Sequence, residues 1–467
     1  MSVAAASDHS KGPCKAIDAE RVIALLDRHI NAQVNAIMQA PQFIAAECLW
    51  RGLLLLVTAL PQGKTVRLKI LPATWHEIAQ DISRSEFDHT WLFELIYNQE
   101  FAMPGGEPFG LIIGDYLLGP DLQNTDHTES ILSVIASIAA AAFCPFVAGA
   151  APSAAGLTDY QELNRLPDLV RRTANAQFTR WNALRQREEA RFLGLVAPRI
   201  LLRSPYKSAY STRQDGFTFE EAIAPDGATL RWGNGCFAFA LNIMQNFSRH
   251  GWFSELHGIR DQTLEGGYIN EDVLPPYESP DEIDNILRQP PVEIRLTADQ
   301  QQQFFALGII PIATSYLMQG VVFNASQSLF LPDNRRPKTD DENMALSAML
   351  QYVFCVSRFA HCLKAIMRSE IGNYITREAL EKRLQNWLLT YTLAGFNNDA
   401  SLRARYPLRA FRICVTEIAG RPGLFSCALD LQPHLHLDSL QATFRLLIDA
   451  PAQTSVPSLR SKQEQAA

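Results

Sequence analysis

Several stretches of the chain begin like catalytic or binding motifs, and each lacks a group its chemistry needs. Gly63-Lys64-Thr65 has the ending of a phosphate-binding loop. Thr58 stands where the first glycine belongs, and a helical pattern precedes the segment instead of a strand, so no backbone cradle for phosphate is expected. His76-Glu77 opens like a zinc-protease helix, but Gln80 takes the place of the second histidine ligand. His434 and His436, two apart in a strand-like run, point the same way and make half a metal site with no third ligand suggested nearby. Gly105-Gly106 and Gly266-Gly267 lack dinucleotide-loop spacing, no G-x-S-x-G elbow occurs, and the adjacent Glu188 and Glu189 cannot face one substrate from a helix. The residues point to no cofactor, no metal and no enzyme, and an enzyme with an unrecognised pocket stays as a rival reading.

One further constellation is cationic. Arg358, His361, Lys364 and Arg368 fall within about a third of a helix circumference at ~100° per residue. Beside them Leu346, Leu350, Phe354, Phe359, Leu363 and Ile366 recur at helical intervals as a buried face. Such a stripe is either a solvated or core-supporting face, or a surface that meets an acidic partner.

The elements that must position these residues follow from composition and periodicity. At 467 residues the chain exceeds what one compact core usually holds, and 47% hydrophobic residues supply ample interior. A net charge of −7 argues against a nucleic-acid binder, because phosphate neutralisation needs a basic surface. The eight cysteines form no C-x-x-C pair and read as small buried hydrophobes in a reducing compartment. No signal peptide is apparent, which suits a cytoplasmic location. Ile131 to Ala151 is free of charge and long enough to cross a bilayer at ~20 residues per span, but its alanines, serines and Pro145 favour a buried helix followed by a core strand over membrane insertion.

Residues 1–16 read as disordered, and 17–62 as a helical hairpin turning at Pro41. Residues 63–342 read as an α/β core. Its predicted strands lie at 66–71, 109–118, 192–205, 291–296 and 308–314, its helices at 75–81, 90–100, 174–191, 230–252 and 298–307, with an exposed insertion near 257–291. Residues 343–400 hold a pair of long helices meeting at Gly372, 401–450 three strand-like runs, and 451–467 a flexible tail. The fold class is α/β: a mixed-sheet core with helices, a helical hairpin before it and a β-rich sheet after it.

Blocks of this sequence resemble a known family. WRGLLLLV (50–57), GGEPFGLIIGDY (105–116), GLVAPRILLRSPY (194–206), RWGNGCFAFA (231–240), LQYVFCVSRFAHCLKAIMRSEIG (350–372) and PLRAFRICVTEIAGRPGLFSCALDLQPHLHL (407–437) are similar, in order, to the large subunit of the type VI secretion contractile sheath, the TssC/VipB family. The resemblance implies a sheath-type fold and assembly instead of catalysis. Its expected partners are a small sheath subunit of the TssB/VipA type, neighbouring sheath heterodimers, an inner tube of Hcp-type hexamers, and a baseplate. It also implies that the C-terminal sheet exchanges strands between subunits, which assigns Phe411, Arg412, Ile413, Val415, Glu417, Leu424, Phe425, Ala428 and Asp430 to intersubunit pairing. Arg358, His361, Lys364 and Arg368 become an expected contact with the tube or with a neighbouring subunit. The N-terminal extension usual in the family is missing, which puts recycling by the ClpV ATPase and N-terminal strand exchange in doubt. Ala298 to Gln303 and Gln432 also depart from the pattern, which fits a divergent or second-copy subunit, or a paralogue that caps or regulates assembly without contracting.

Overall fold

The structure is a computed structural model. The structure describes residues 13–61, 66–123, 127–207, 217, 219–224, 227–253, 256–260, 265–280, 286–314, 320–331, 348–370, 376–393, 400–417, 425–434 and 444–449. In chain order the elements used below are helices α1 (Pro13–Met38), α2 (Pro41–Thr58) and α3 (Trp75–Arg84), strand β1 (Ile112–Leu118), helix α4 (Thr128–Ala141), and strands β2 (Phe146–Ala150) and β3 (Leu193–Ala197). Helix α5 (Gly235–His250), strand β4 (Tyr268–Asn270), helix α6 (Ala298–Ala306) and strands β5 (Ile309–Thr314) and β6 (Gly320–Phe323) complete the central layer. Helices α7 (Leu350–Ser369) and α8 (Arg377–Leu389) and strands β7 (Leu408–Glu417), β8 (Phe425–Pro433) and β9 (Phe444–Asp449) follow.

The central sheet has the order β1-β2-β3-β5-β6-β4, with the first four strands parallel and the last two antiparallel. Parallel strands are covered on both faces, so their sequences are apolar throughout, and period two decides only which layer each side chain joins. Phe146, Ala148, Leu193, Leu195 and Ile309 pack into the layer with α4 and Phe304 of α6. Val147, Val196, Ile310 and Ile312 pack with Leu56 of α2, Phe237 of α5 and Phe354 of α7. Asn234 caps α5 by accepting from the Cys236 amide at 3.0 Å, and it donates to the Tyr116 carbonyl at 3.1 Å, which ties the helix to β1. Its carboxamide lies so close to Gly149 that a Cβ there would come within 2.4 Å, so only glycine fits.

Several expectations are corrected. Residues 66–71 form no strand among the described residues, and 291–296 carries only an isolated bridge from Val292 to Ile200. The helix expected over 174–191 breaks into Ala176–Phe178, Thr179–Arg185 and Glu188–Phe192. The one expected over 90–100 is a short α-turn followed by a π-helical stretch, Glu94–Ala102. The segment near 257–291 is not only an exposed insertion, because it contributes β4 to the sheet and buries Tyr268, Ile269 and Leu274. Residues 13–16, expected to be disordered, are helical. The hairpin is an elbow: the axes of α1 and α2 differ in direction by 71°. Cys414 is exposed and Cys362 half-buried, while Cys48, Cys144, Cys236, Cys355 and Cys427 are buried as the apolar reading predicts.

Candidate assembly surfaces

The C-terminal sheet has the order β7-β8-β9, all antiparallel. One face packs on α7 and α8, burying Ile413, Val415, Cys427, Leu429 and Leu431 against Phe359, Leu363, Leu384 and Leu388. The register fixes what each strand can still offer. Leu408 turns its N–H and C=O away from β8, toward Tyr391 and Leu393, at 3.2 and 2.9 Å. Side-chain direction and amide direction alternate together along a strand. A bulge between Leu408 and Ala410 shifts this alternation by one residue, so the positions that share Leu408's inward side chain, and with it the outward amide, are the odd-numbered ones from Phe411. Phe411, Ile413 and Val415 thus carry the free edge of β7 with their backbones while their side chains sit in or against the core. Beyond Leu408 no strand pairs with that edge among the described residues.

The remaining residues expected to pair between subunits fall differently. Arg412 lies opposite Asp430 within the β7–β8 ladder, and Glu417 closes the ladder opposite Phe425. Phe425, Ala428 and Asp430 belong to β8, whose two sides already hold β7 and β9 over Ser426–Leu431, so the assignment of Ala428 and Asp430 to intersubunit pairing is corrected: a central strand has no edge left. Phe425 lies beyond the span of β8 paired with β9. Leu424 lies outside the described residues.

Within the cationic stripe of α7, the contact expected of His361 and Lys364 is corrected. His361 and Lys364 are 5% and 6% exposed, so they face the interior of their own chain. His361 donates from Nε2 to the Ala142 carbonyl at 2.9 Å, at the C-terminal end of α4, and burial lowers its pKa to about 4. Arg368 donates to the carbonyls of Phe101 (2.6 Å) and Met103 (2.9 Å), where the π-helical stretch ends. Lys364 places its ammonium 3.3 Å from the centre of the Phe101 ring and 5.4 Å from that of Tyr97. Arg358, half-buried, lies over Phe247 at 5.4 Å. Carbonyls at helix ends and aromatic faces attract cations, which is why Arg368 and Lys364 can point inward here, while His361, kept neutral by burial, serves as a hydrogen-bond donor.

A second polar cluster has no counterpart in the sequence reading. Glu47, on the inner side of α2, accepts from Arg203 Nε at 2.6 Å, Arg231 Nε at 2.5 Å and Arg51 Nε at 2.7 Å. Glu221 pairs with Arg203 at 2.6 Å and Arg231 at 3.0 Å. Arg231, 1% exposed, also donates to the carbonyl of Met38, the last residue of α1, at 2.9 Å. Although burial pushes the Glu47 carboxyl upward, the three guanidinium groups outweigh it and hold its pKa at about 2. The elbow between α1 and α2 is thereby fastened to the core. The signal for it was a lone acid in an otherwise apolar helix: Glu47 and Arg51 are the only charges in α2.

Among the described residues no group of three or more metal-ligating side chains occurs, His436 and Gly63-Lys64-Thr65 lie outside them, and no single helix is long and apolar enough to cross a membrane.

The fold is a mixed α/β core followed by a helix-backed antiparallel sheet, one edge of which is unpaired beyond Leu408 among the described residues. Comparison with known proteins gives the class a family. Residues 20–330 match the EvpB/VC_A0108 (VipB) tail sheath N-terminal domain, and residues 339–449 match the tail sheath gpW/gp25-like domain of the same family. The type VI secretion system sheath protein TssC1 of Pseudomonas aeruginosa is 30% identical over 438 residues, covering 93% of this chain and 86% of that protein. Similar solved structures include a sheath tail protein of Listeria innocua (TM-score 0.38, 8% identity, 83% of this chain and 66% of that one) and a chain of the anti-feeding prophage baseplate (TM-score 0.33, 11% identity, 73% and 67%). The chain belongs to the VipB/TssC family, the large structural subunit of the type VI secretion contractile sheath.

Proposed function

We propose that this chain works in the cytoplasm as one half of a heterodimer with a small sheath subunit of the TssB/VipA type. The heterodimers stack on a baseplate as a helical polymer around an inner tube of Hcp-type hexamers, and contraction of the polymer ejects the tube. The observation that carries this reading is the edge of β7 at Phe411, Ile413 and Val415, unpaired among the described residues, in a sheet packed from behind on α7 and α8. A strand from a neighbouring subunit can complete that edge by main-chain hydrogen bonds, which hold whatever the incoming sequence and tolerate rotation at the base of the donor arm. His361 and Lys364 of α7 are left out of this reading because they are buried within their own chain, whereas Arg358 and Arg368, both half-buried, stay as candidates for a contact with the tube or a neighbouring subunit.

Co-expression with the small subunit, followed by electron microscopy, tests the reading. Tubules of uniform diameter are expected. A heterodimer that never polymerises would favour a paralogue that caps or regulates assembly, and a chain that stays alone would refute the assignment.

A further inference from the structure

Helix α7 packs on both sheets of the chain. Leu350 and Phe354 join the layer against β2, β3 and β5, while Phe359 and Leu363 lie behind β7 and β8. Its Lys364 and Arg368 grip a third element, the π-helical stretch Glu94–Ala102, which the Met103 amide closes by donating to the Asn98 carbonyl, five residues back, at 3.0 Å. An α-helix would hand that amide to Gln99. Pro104 has no amide to offer in either register, and Gly106 is pressed so close that a Cβ there would come within 2.7 Å of the Gln99 carbonyl oxygen and 2.4 Å of that of Glu100. Stretches bonded five residues back are rare beyond a single turn and gather at functional sites.

The grip is made at a cost. Arg368 donates to the Phe101 and Met103 carbonyls, yet its Nε is buried with no acceptor. The Lys364 ammonium lies 3.3 Å from the centre of the Phe101 ring, with no carboxylate within ion-pairing distance among the described residues. Apolar side chains of the same length would join α7 to this stretch at lower free energy, since a buried charge without a counter-charge is unfavourable. Against that cost stand the ring contacts, Phe93 to Tyr97 at 4.7 Å and Tyr97 to Phe101 at 5.4 Å, a row of residues four apart that a helix bonded five back keeps in line better than an α-helix. Opposed contributions of this kind are what a two-state element requires.

We infer that Glu94–Ala102 is a two-register element that reads whether the edge of β7 is filled. This rests on the joint proposed above and adds the part of the subunit that senses it. In the gripped register, the one in this structure, Lys364 and Arg368 hold α7 to the stretch. In the released register the Met103 amide passes to Gln99, the end of the stretch turns by about one residue, ~100°, and Phe101 carries its ring and carbonyl off α7, so both cations regain water. Gly105, at φ 87° with open space around it, absorbs the change in length. His361, two turns back along α7, keeps its bond to the Ala142 carbonyl and is the pivot. A strand added to β7 turns alternate side chains into the layer that holds Ile413 and Val415, and in a close-packed layer α7 must shift to admit them. Filling the edge therefore favours release.

Acylation of Lys364 by an amine-reactive ester, read by mass spectrometry, tests the inference, because the ammonium is shielded only in the gripped register. The full chain alone is compared with tubules assembled with the small subunit and with Gly106→Ala, whose added methyl group clashes with the Gln99 and Glu100 carbonyls as the π register places them. Acylation at least about tenfold faster is expected in the tubules and in Gly106→Ala. Arg368→Met should lower the urea midpoint of the wild type and leave that of Gly106→Ala unchanged, whereas a purely structural contact would give equal shifts in both backgrounds. Equal acylation in chain and tubules would overturn the inference, and so would a folded Gly106→Ala chain with Lys364 still shielded. If Gly106→Ala does not fold, the comparison of chain with tubules decides alone. If the wild type forms no tubules, the joint itself is refuted, and Gly106→Ala alone decides whether a second register exists.

Discussion

Replacing Lys364 with Met isolates the cost of the charge buried beneath α7. The residue is 6% exposed, and its ammonium lies against Phe101 with no carboxylate within ion-pairing distance among the described residues. Burial, with a smaller contribution from neighbouring Arg368, lowers its pKa from 10.5 to about 7. At 1.36 kcal/mol per unit that displacement corresponds to about 5 kcal/mol of destabilisation at or below pH 7. Contact of the ammonium with two aromatic faces offsets part of this and leaves about 2 kcal/mol. Between pH 7 and pH 10.5 the unfolded chain holds a proton that the folded chain has released, so the penalty is complete below pH 7 and fades as pH rises toward 10.5. Met preserves the stem and removes the charge. Urea unfolding at pH 6.5, 8 and 9.5 measures the difference. Trp252 provides the signal, since it stacks on Phe359 of α7 with ring centres 4.4 Å apart. Lys364→Met should be more stable by about 2 kcal/mol at pH 6.5, with the gap narrowing at each higher pH. A gap that stays constant with pH, or a variant less stable at every pH, would refute the reasoning.

Other outcomes follow from the same geometry. Glu47→Gln removes one of the two carboxylates that Arg203 and Arg231 share, leaving them Glu221 alone, and should lower the unfolding free energy by about 3 kcal/mol in thermal denaturation. The stability that Glu47 provides should be complete above pH 4.5 and lost between there and about pH 2, because its folded-state pKa is the lower one. With His361 lowered to about 4, the unfolded chain takes up a proton below pH 6.5 that the folded chain refuses, so wild-type stability falls on acidification from 6.5 to 4. His361→Gln keeps a donor for the Ala142 carbonyl and should flatten that fall, as read by denaturation at pH 7 and pH 5. Val415→Pro removes an outward amide of β7 and should abolish tubules while leaving a folded heterodimer. Thr416→Pro instead removes a bond to β8 and should unfold the sheet; equal effects on assembly and on circular dichroism would show that the edge is not the joint.

How much of this was legible in the chain depended on whether local pattern and long-range partner agree. Phe146 to Ala150, Leu193 to Ala197 and Ile309 to Thr314 are strands because a short apolar run in a parallel sheet needs no further information. Residues 66–71 alternate equally well, yet a strand exists only where a neighbour accepts its amides, and alternation is silent about neighbours. Strand type was readable in Phe425 to Pro433, but its central position, which removes Ala428 and Asp430 from any joint, was not. The stripe on α7 shows the same limit for charge. A helical wheel places Arg358, His361, Lys364 and Arg368 together, but the carbonyls of Phe101, Met103 and Ala142 that draw two of them inward come from residues more than two hundred positions earlier.

The two outer strands of the C-terminal sheet are different strands, β7 on one side and β9 on the other. A joint in which an arm from one copy fills the β7 edge of the next has an acceptor end and a donor end, so it is heterologous and need not close on itself. A filament assembled this way has direction. At one extremity every β7 edge is empty, and at the other every arm is unspent, so the two ends are chemically distinct. Growth and arrest can then be controlled separately, by one factor that presents a first strand and another that occupies the last edge.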